Sequence, residues 1–167
     1  MSEVVELVKD KEDALSISES SALKAVNEWP LPLVEEFENF VMAQGLNQID
    51  AVNQQGLADK RVDGLYCRAL TIKAGTFMTG RIHLKPYIDV FISGDVTVKS
   101  FLNDGTLEDS ERINSFRFFE GKAGRKRVLY AHEDTLWVTV DPTEYRGDGV
   151  PPDVVVDTMN DYLRLKA

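Results

Sequence analysis

The sequence predicts a mainly β protein, one small antiparallel barrel or sandwich with helical segments before and after it. Three observations lead there. From Leu65 onward, short runs of β-branched and aromatic residues follow one another at close, regular intervals. The breaks between them carry glycine, asparagine and aspartate, which supply the backbone angles of tight turns. Before Gly64 the apolar residues recur at helical spacing instead, punctuated by proline and glycine. The predicted organisation is an N-terminal arm and helical segment over 1–64, the barrel over 65–141, and a loop with a closing helix over 142–167.

Residues 1–28 are rich in charge and serine, and Val4, Val5, Val8 and Leu15 give only a weak helical spacing, so this stretch reads as a mobile arm. Trp29-Pro30-Leu31-Pro32 then forces extended backbone ahead of a helix, because proline tolerates the first helical turn but disfavours helix at the residue before it. Leu33, Val34, Phe37, Phe40 and Val41 line one face of that helix, opposite Glu35, Glu36, Glu38 and Asn39, and Gly45 closes it. A short helix through Ile49 and Val52 to Gln55 follows, and Asp59 to Gly64 reads as a polar loop.

The expected strands are Leu65 to Ile72, Phe77 to Leu84, Tyr87 to Ser93, Val96 to Leu102, Asn114 to Phe119, Arg127 to Ala131 and Leu136 to Val140. Ala74-Gly75, Ser93-Gly94-Asp95, Asn103-Asp104-Gly105 and Gly121-Lys122-Ala123-Gly124 read as the turns of an antiparallel meander. Asp141-Pro142 stops the last strand. Val154, Val155, Met159, Tyr162 and Leu163 suggest a helix that packs on the barrel or on a neighbouring subunit.

Composition narrows the function classes. At 167 residues the chain suits one domain with a core of its own, and 43% hydrophobic content fits an ordinary globule. No run approaches the ~20 apolar residues of a membrane helix, so no membrane partner is expected. The acidic start, Met1-Ser2-Glu3-Val4-Val5-Glu6, is unlike a signal peptide, so export by that route is not expected and a cytoplasmic location is. Cys67 is the single cysteine, so no intrachain disulfide can form, and it reads as a small packed hydrophobe. A net charge of −9 disfavours nucleic acid as a partner.

Two segments place polar residues inside strands. In the first, Gly80 to Gly94, the two-residue period puts Arg81, His83, Lys85, Tyr87 and Asp89 on one side, facing either solvent or a pocket, with Ile82, Leu84, Ile88, Val90 and Ile92 on the other. The second runs from Gly121 through Arg125-Lys126-Arg127 to Tyr130, His132 and Trp137. Its basic run either decorates a hairpin, pairing with Glu120, Glu133 and Asp134, or supplies cations to the barrel mouth. His83 is either a hydrogen-bonded structural residue or a general base oriented by Asp89 or Tyr130. His132-Glu133-Asp134 reads as a polar turn, and Tyr130 and Trp137 as core or subunit-contact aromatics.

Leu70 to Thr76, Thr79-Gly80-Arg81-Ile82-His83, Ser93 to Val98, Ala123 to Arg127 and Tyr130 to Trp137 together resemble the cupin superfamily, and more closely the small cupin-like proteins of tailed bacteriophages. The resemblance covers about residues 66–140 and implies a cupin, or jelly-roll, barrel. Metal-binding cupins carry two histidines and a glutamate in a first motif and a third histidine in a second. On this chain the resemblance places His83, Lys85, Asp89 and Arg127 at those positions, which implies neither metal nor other cofactor. Arg81, His83, Lys85, Arg127 and His132 would instead bind an anionic small molecule.

Two functions follow as expectations. One is a non-enzymatic phage accessory or virion protein, meeting other phage proteins or a ligand. The other is a metal-independent isomerase or epimerase on an anionic sugar or nucleotide, using His83 with Tyr130 or Asp89. Under either, a homodimer or larger ring is expected, joined through sheet edges and terminal segments.

Overall fold

The computed structural model of the chain describes residues 17–45 and 55–167; the apolar positions Val4 to Leu15 and the helix expected through Ile49 and Val52 lie outside them. Residues 19–28, expected in a mobile arm, form helix α1 (Glu19–Glu28). The Ser18 hydroxyl caps it by accepting from the Ser21 N–H at 3.2 Å. Its buried stripe is only Ala22, Ala25 and Val26, too slight to stand out as periodicity. Helix α2 (Leu31–Ala43) begins after the extended Pro30 and buries Leu31, Val34, Phe37 and Val41, with Leu33 and Phe40 partly covered. Gly45, at φ +75°, follows its end.

Nine strands follow: β1 (Leu57–Val62), β2 (Leu65–Ile72), β3 (Phe77–Thr79), β4 (Ile82–His83), β5 (Tyr87–Phe101), β6 (Leu107–Ile113), β7 (Arg117–Gly121), β8 (Lys126–Pro142) and β9 (Val155–Val156). Helix α3 (Met159–Lys166) closes the chain, capped by Thr158. The class is the expected one, mainly antiparallel β with helices at both ends of the described chain. Val155, expected in the closing helix, instead pairs with His83 in β9. Two further strands, β1 and β6, are not expected from sequence because both are polar edges. β1 is exposed nearly throughout and reads as loop in sequence; β6, Leu-Glu-Asp-Ser-Glu-Arg-Ile, has one buried residue.

The long strands β5 and β8 organise everything else. They pair along almost their whole length, from Ile88↔Val140 to Phe101↔Lys126, and each changes its second partner midway. One end of the ladder continues as β1-β2-β8-β5-β7; the other as β3-β8-β5-β6. The two ends fold over to face one another. Arg127 is in register with Ser100 and Asp89 with Thr139, yet the Arg127 guanidinium donates to the Asp89 carboxylate across the interior. This is the two-layered sandwich of a jelly roll, made by folding one ladder in half.

The fold-over lies where the sequence predicts turns. Ser93-Gly94-Asp95 and His132-Glu133-Asp134 are not hairpins or turns but the midpoints of β5 and β8, where the register slips between Phe91 and Val96. Turn chemistry and bulge chemistry use the same residues, so sequence alone does not separate them. Gly94 has φ +121°, and a Cβ there would lie 2.6 Å from the Thr135 Cα.

The second half carries the helices on its outer face. Trp29, Phe37 and Phe77 form an aromatic triangle with centroids 5.3 to 6.1 Å apart, continued by Val128, Tyr130 and, from the C-terminus, Met159 and Tyr162. Lys126 fastens this layer. Fully buried, it pairs with Glu38 of α2 and donates to the carbonyls of Gly80 at 2.7 Å and Asp157 at 3.1 Å.

The bend at Gly94 is open to test. Gly94→Val combines a disfavoured positive φ with a backbone clash, and is expected to cost about 3 kcal/mol or more in urea unfolding. Gly75→Val, also at positive φ but in open space, is expected to cost about 1 kcal/mol.

Candidate functional site

Between the two halves lies a cavity of about 90 Å³. Leu70, Ile72, Met78, Leu129 and Trp137 make its apolar wall, and Arg68, Arg81, His83, Tyr87, Asp89, Arg125 and Arg127 converge at its polar end. Strand parity explains the membership. Arg68, Leu70 and Ile72 of β2 point inward, as do Tyr87, Asp89 and Phe91 of β5 and Arg127 and Leu129 of β8, while their neighbours point out.

Asp89 is the centre of the polar end and is fully buried. One carboxylate oxygen accepts from the Arg127 guanidinium, the other from the Trp137 indole N–H at 2.8 Å. The guanidinium also lies 5.0 Å from the Phe119 ring centroid and 5.3 Å from that of Trp137. Burial works against the Arg127 charge, but the Tyr87 phenol and the Asp89 carboxylate outweigh it and hold its pKa above the ordinary value.

His83 makes the second polar contact. Its Nδ1 lies 2.5 Å from Oδ1 of Asp141, and its ring stacks on Tyr87 with centroids 3.8 Å apart. Asp141 is buried, and its contact with Nδ1 orients the imidazole ring. Arg68 lines the same cavity. Burial lowers its pKa, and the neighbouring Arg81 charge adds to the effect against the attraction of Tyr66, Asp141 and Asp59.

Of the site residues expected from sequence, the fold gathers Arg81, His83, Asp89 and Arg127 around this cavity. The other three lie elsewhere. Leu84 and Lys85 form a bend before Pro86, which breaks the alternation counted from Arg81, and Lys85 sits outside, 3.6 Å from Asp153. Tyr130 faces outward from β8 and packs in the helix-covered cluster, so it is no partner for His83. His132 lies at the bulge, its Nε2 2.8 Å from the Thr97 hydroxyl.

The basic run is not a solvated hairpin: each of its side chains meets a carboxylate, and Arg125 and Arg127 also line the cavity. Arg125, Lys126 and Arg127 pair with Glu108, Glu38 and Asp89, not with the carboxylates of Glu120, Glu133 or Asp134. Arg125 holds Glu108 through two nitrogens, at 2.7 and 3.1 Å. Sequence reasoning passed over Arg68, Asp141 and the polar role of Trp137. Arg68 was recoverable, as a lone cation among Tyr66, Leu70 and Ile72 on an otherwise apolar strand face.

The donor set does not fit a divalent ion. Both Asp89 oxygens are engaged by cationic or indole donors, His83 Nδ1 is committed to Asp141, and Lys85 and Arg127 stand where the resemblance would require histidines. Among the described residues no three His, Cys, Asp or Glu side chains converge as a metal-ligating group.

No known protein family's sequence profile matches the chain, and no curated protein does. Solved structures give partial overlays. The chain is similar to the oxalate decarboxylase of Lactobacillus farciminis in its formate complex, at 14% identity and TM-score 0.43, over 55% of this chain and 32% of that one. It is similar to procruciferin, an 11S globulin of Brassica napus, at 13% identity and TM-score 0.43, over 46% of this chain and 20% of that one. A conserved protein of unknown function from Streptococcus pyogenes overlays at 17% identity and TM-score 0.41, over 56% of this chain and 79% of that one. The chain thus spans a third or less of the decarboxylase and the globulin.

Two measurements probe the polar end. Asp89→Asn strands the Arg127 charge, with an expected loss of about 3–5 kcal/mol in urea unfolding; Asp89→Leu with Arg127→Met is expected to recover most of it. Burial also pushes the Tyr87 phenol up to about 12, from 10.0. The fold therefore holds the phenol proton more tightly than the unfolded chain does. The stability this gives is complete below about pH 10 and falls as pH rises toward 12. In Tyr87→Phe, unfolding free energies between those pH values are expected to lose that slope.

Proposed function

We propose that the chain is a cupin-like ligand-binding module without catalysis, taking a small carboxylate in the cavity between its two half-sheets. The observation that carries this reading is the cavity lining itself, an apolar wall beside four arginines, Arg68, Arg81, Arg125 and Arg127, of which Arg81 also pairs with Asp157 at 2.9 Å. A carboxylate entering beside Arg68 offsets the desolvation that lowers its pKa. The size of the cavity sets the class of ligand. By the measure in which one water takes about 10–15 Å³, it holds about six waters, room for a few heavy atoms rather than a nucleotide. The metal positions of a cupin, filled here by a carboxylate held between arginine and indole, support a binding rather than a metal-dependent role. The accessory role in a phage rests on the sequence resemblance.

The His83–Asp141 contact favours a second reading, a metal-independent isomerase with His83 as the base. Asp141 takes the orienting place expected for Asp89 or Tyr130. Turnover of a small hydroxy acid, followed by solvent deuterium incorporation and lost in His83→Ala, would establish it.

The binding reading is tested by thermal unfolding with malonate, acetate and acetamide at fixed ionic strength. A carboxylate at about 100 times its Kd is expected to add about 2.7 kcal/mol, raising Tm by roughly 5–10 °C. Acetamide is expected to do nothing, and Arg81→Gln to remove most of the shift. Equal shifts with acetamide, or none with any acid, would refute it.

A further inference from the structure

One outer face of the sandwich is covered by the protein's own helices; the other is not. On β1-β2-β8-β5-β7, the residues pointing away from the cavity are mostly apolar, with Lys60, Thr71 and Glu120 the exceptions, and among the described residues no helix lies over them. Phe118 is 68% exposed, Val62 63%, Ile88 45% and Leu65 43%. An ordinary antiparallel sheet alternates polar residues on its wet side, and this one does not.

The registers show what fits there. One cross-strand row reads Lys60, Cys67, Val140, Ile88, Glu120, and the next reads Ala58, Ala69, Val138, Val90, Phe118. The second row is small on its β1–β2 side and large on its β5–β7 side. The first carries a cation at one end and an anion at the other, and neither Lys60 nor Glu120 has an ion-pair partner among the described residues. β8 is the middle strand of the five.

We propose that this face binds a second copy of the chain, with a two-fold axis running along β8. Rotation about that axis lays each row over its own reverse. Ala58 meets Phe118 of the second copy, Ala69 meets Val90, Cys67 meets Ile88, and Val138 and Val140 meet themselves. Lys60 comes opposite Glu120 at both rims. An axis perpendicular to the strands instead keeps β1 over β1 and β7 over β7, so Lys60 cannot reach Glu120 and the bulky β7 edge meets itself; charge and bulk disfavour it. Aligned packing of two sheets face to face is a standard geometry, with apolar residues at the centre and charges at the rim. This differs from the sheet edges and terminal segments expected from sequence as the means of association.

Sedimentation of the full chain at micromolar concentration is expected to give the mass of two 18.8 kDa chains. Val138→Asp is expected to weaken the dimer at least about 100-fold by placing a charge in its apolar centre, with an unchanged far-UV circular dichroism spectrum, since Val138 faces outward. Lys60→Glu and Glu120→Lys are each expected to weaken it about tenfold, because two rim pairs turn repulsive, and the double reversal to restore it. A single-chain mass for the unaltered protein, a Val138→Asp dimer of undiminished affinity, or a double reversal no better than either single change would overturn the proposal.

Discussion

The Asp89 carboxylate is the constraint around which this molecule is arranged. A buried charge is tolerated only when its partners are fixed, and Asp89 has two, the Arg127 guanidinium and the Trp137 indole. Both belong to β8, ten residues apart, on either side of its bend. Joining them to one carboxylate on β5 holds the ladder folded in half and brings Arg68, Arg81 and His83 to the same end of the cavity. It also sets the chemistry, because a carboxylate saturated by such donors is not a ligand for a cation.

A second buried ion pair, Lys126 with Glu38, plays a comparable part on the outside. Lys126 neighbours Arg127 in sequence but points the opposite way, into α2 and the backbone leading into α3. Two adjacent cations thus fasten two different layers, one the interior of the sandwich and one the helical cover. Strand alternation makes this division, and the helices make it affordable by excluding water from Lys126. The cover accounts for one outer face only, so the apolar rows of the other face stand apart as a surface with an occupant to find.

Much of the fold was legible in the sequence. Strand β2 spans Leu65–Ile72, as its period predicts, and α2 presents the apolar face read from Val34, Phe37 and Val41. Helix α1 and strands β1 and β6 were not, because each has too few apolar positions to give a period. The candidate site was legible in part. Arg81, His83 and Asp89 follow from residue type and alternation and Arg127 from the resemblance, whereas Asp141, next to a strand-ending proline, looks like a stop signal and proves to be the partner of His83.

What the sequence by itself determined is local: the class of each long strand, the helix after Pro30, the absence of a run apolar enough to span a membrane as a helix, and which side chains share a strand face. Those properties depend on residues a few positions apart, through backbone sterics and the two-residue period. Only the tertiary structure decided whether Gly94 turns the chain back or bends it, and whether Arg125, Lys126 and Arg127 meet solvent or carboxylates. It alone decided which outer face the helices cover. Each of these depends on groups tens of residues away, such as Thr135 against Gly94 and Glu38 against Lys126, whose approach is set by how the ladder folds rather than by any nearby residue.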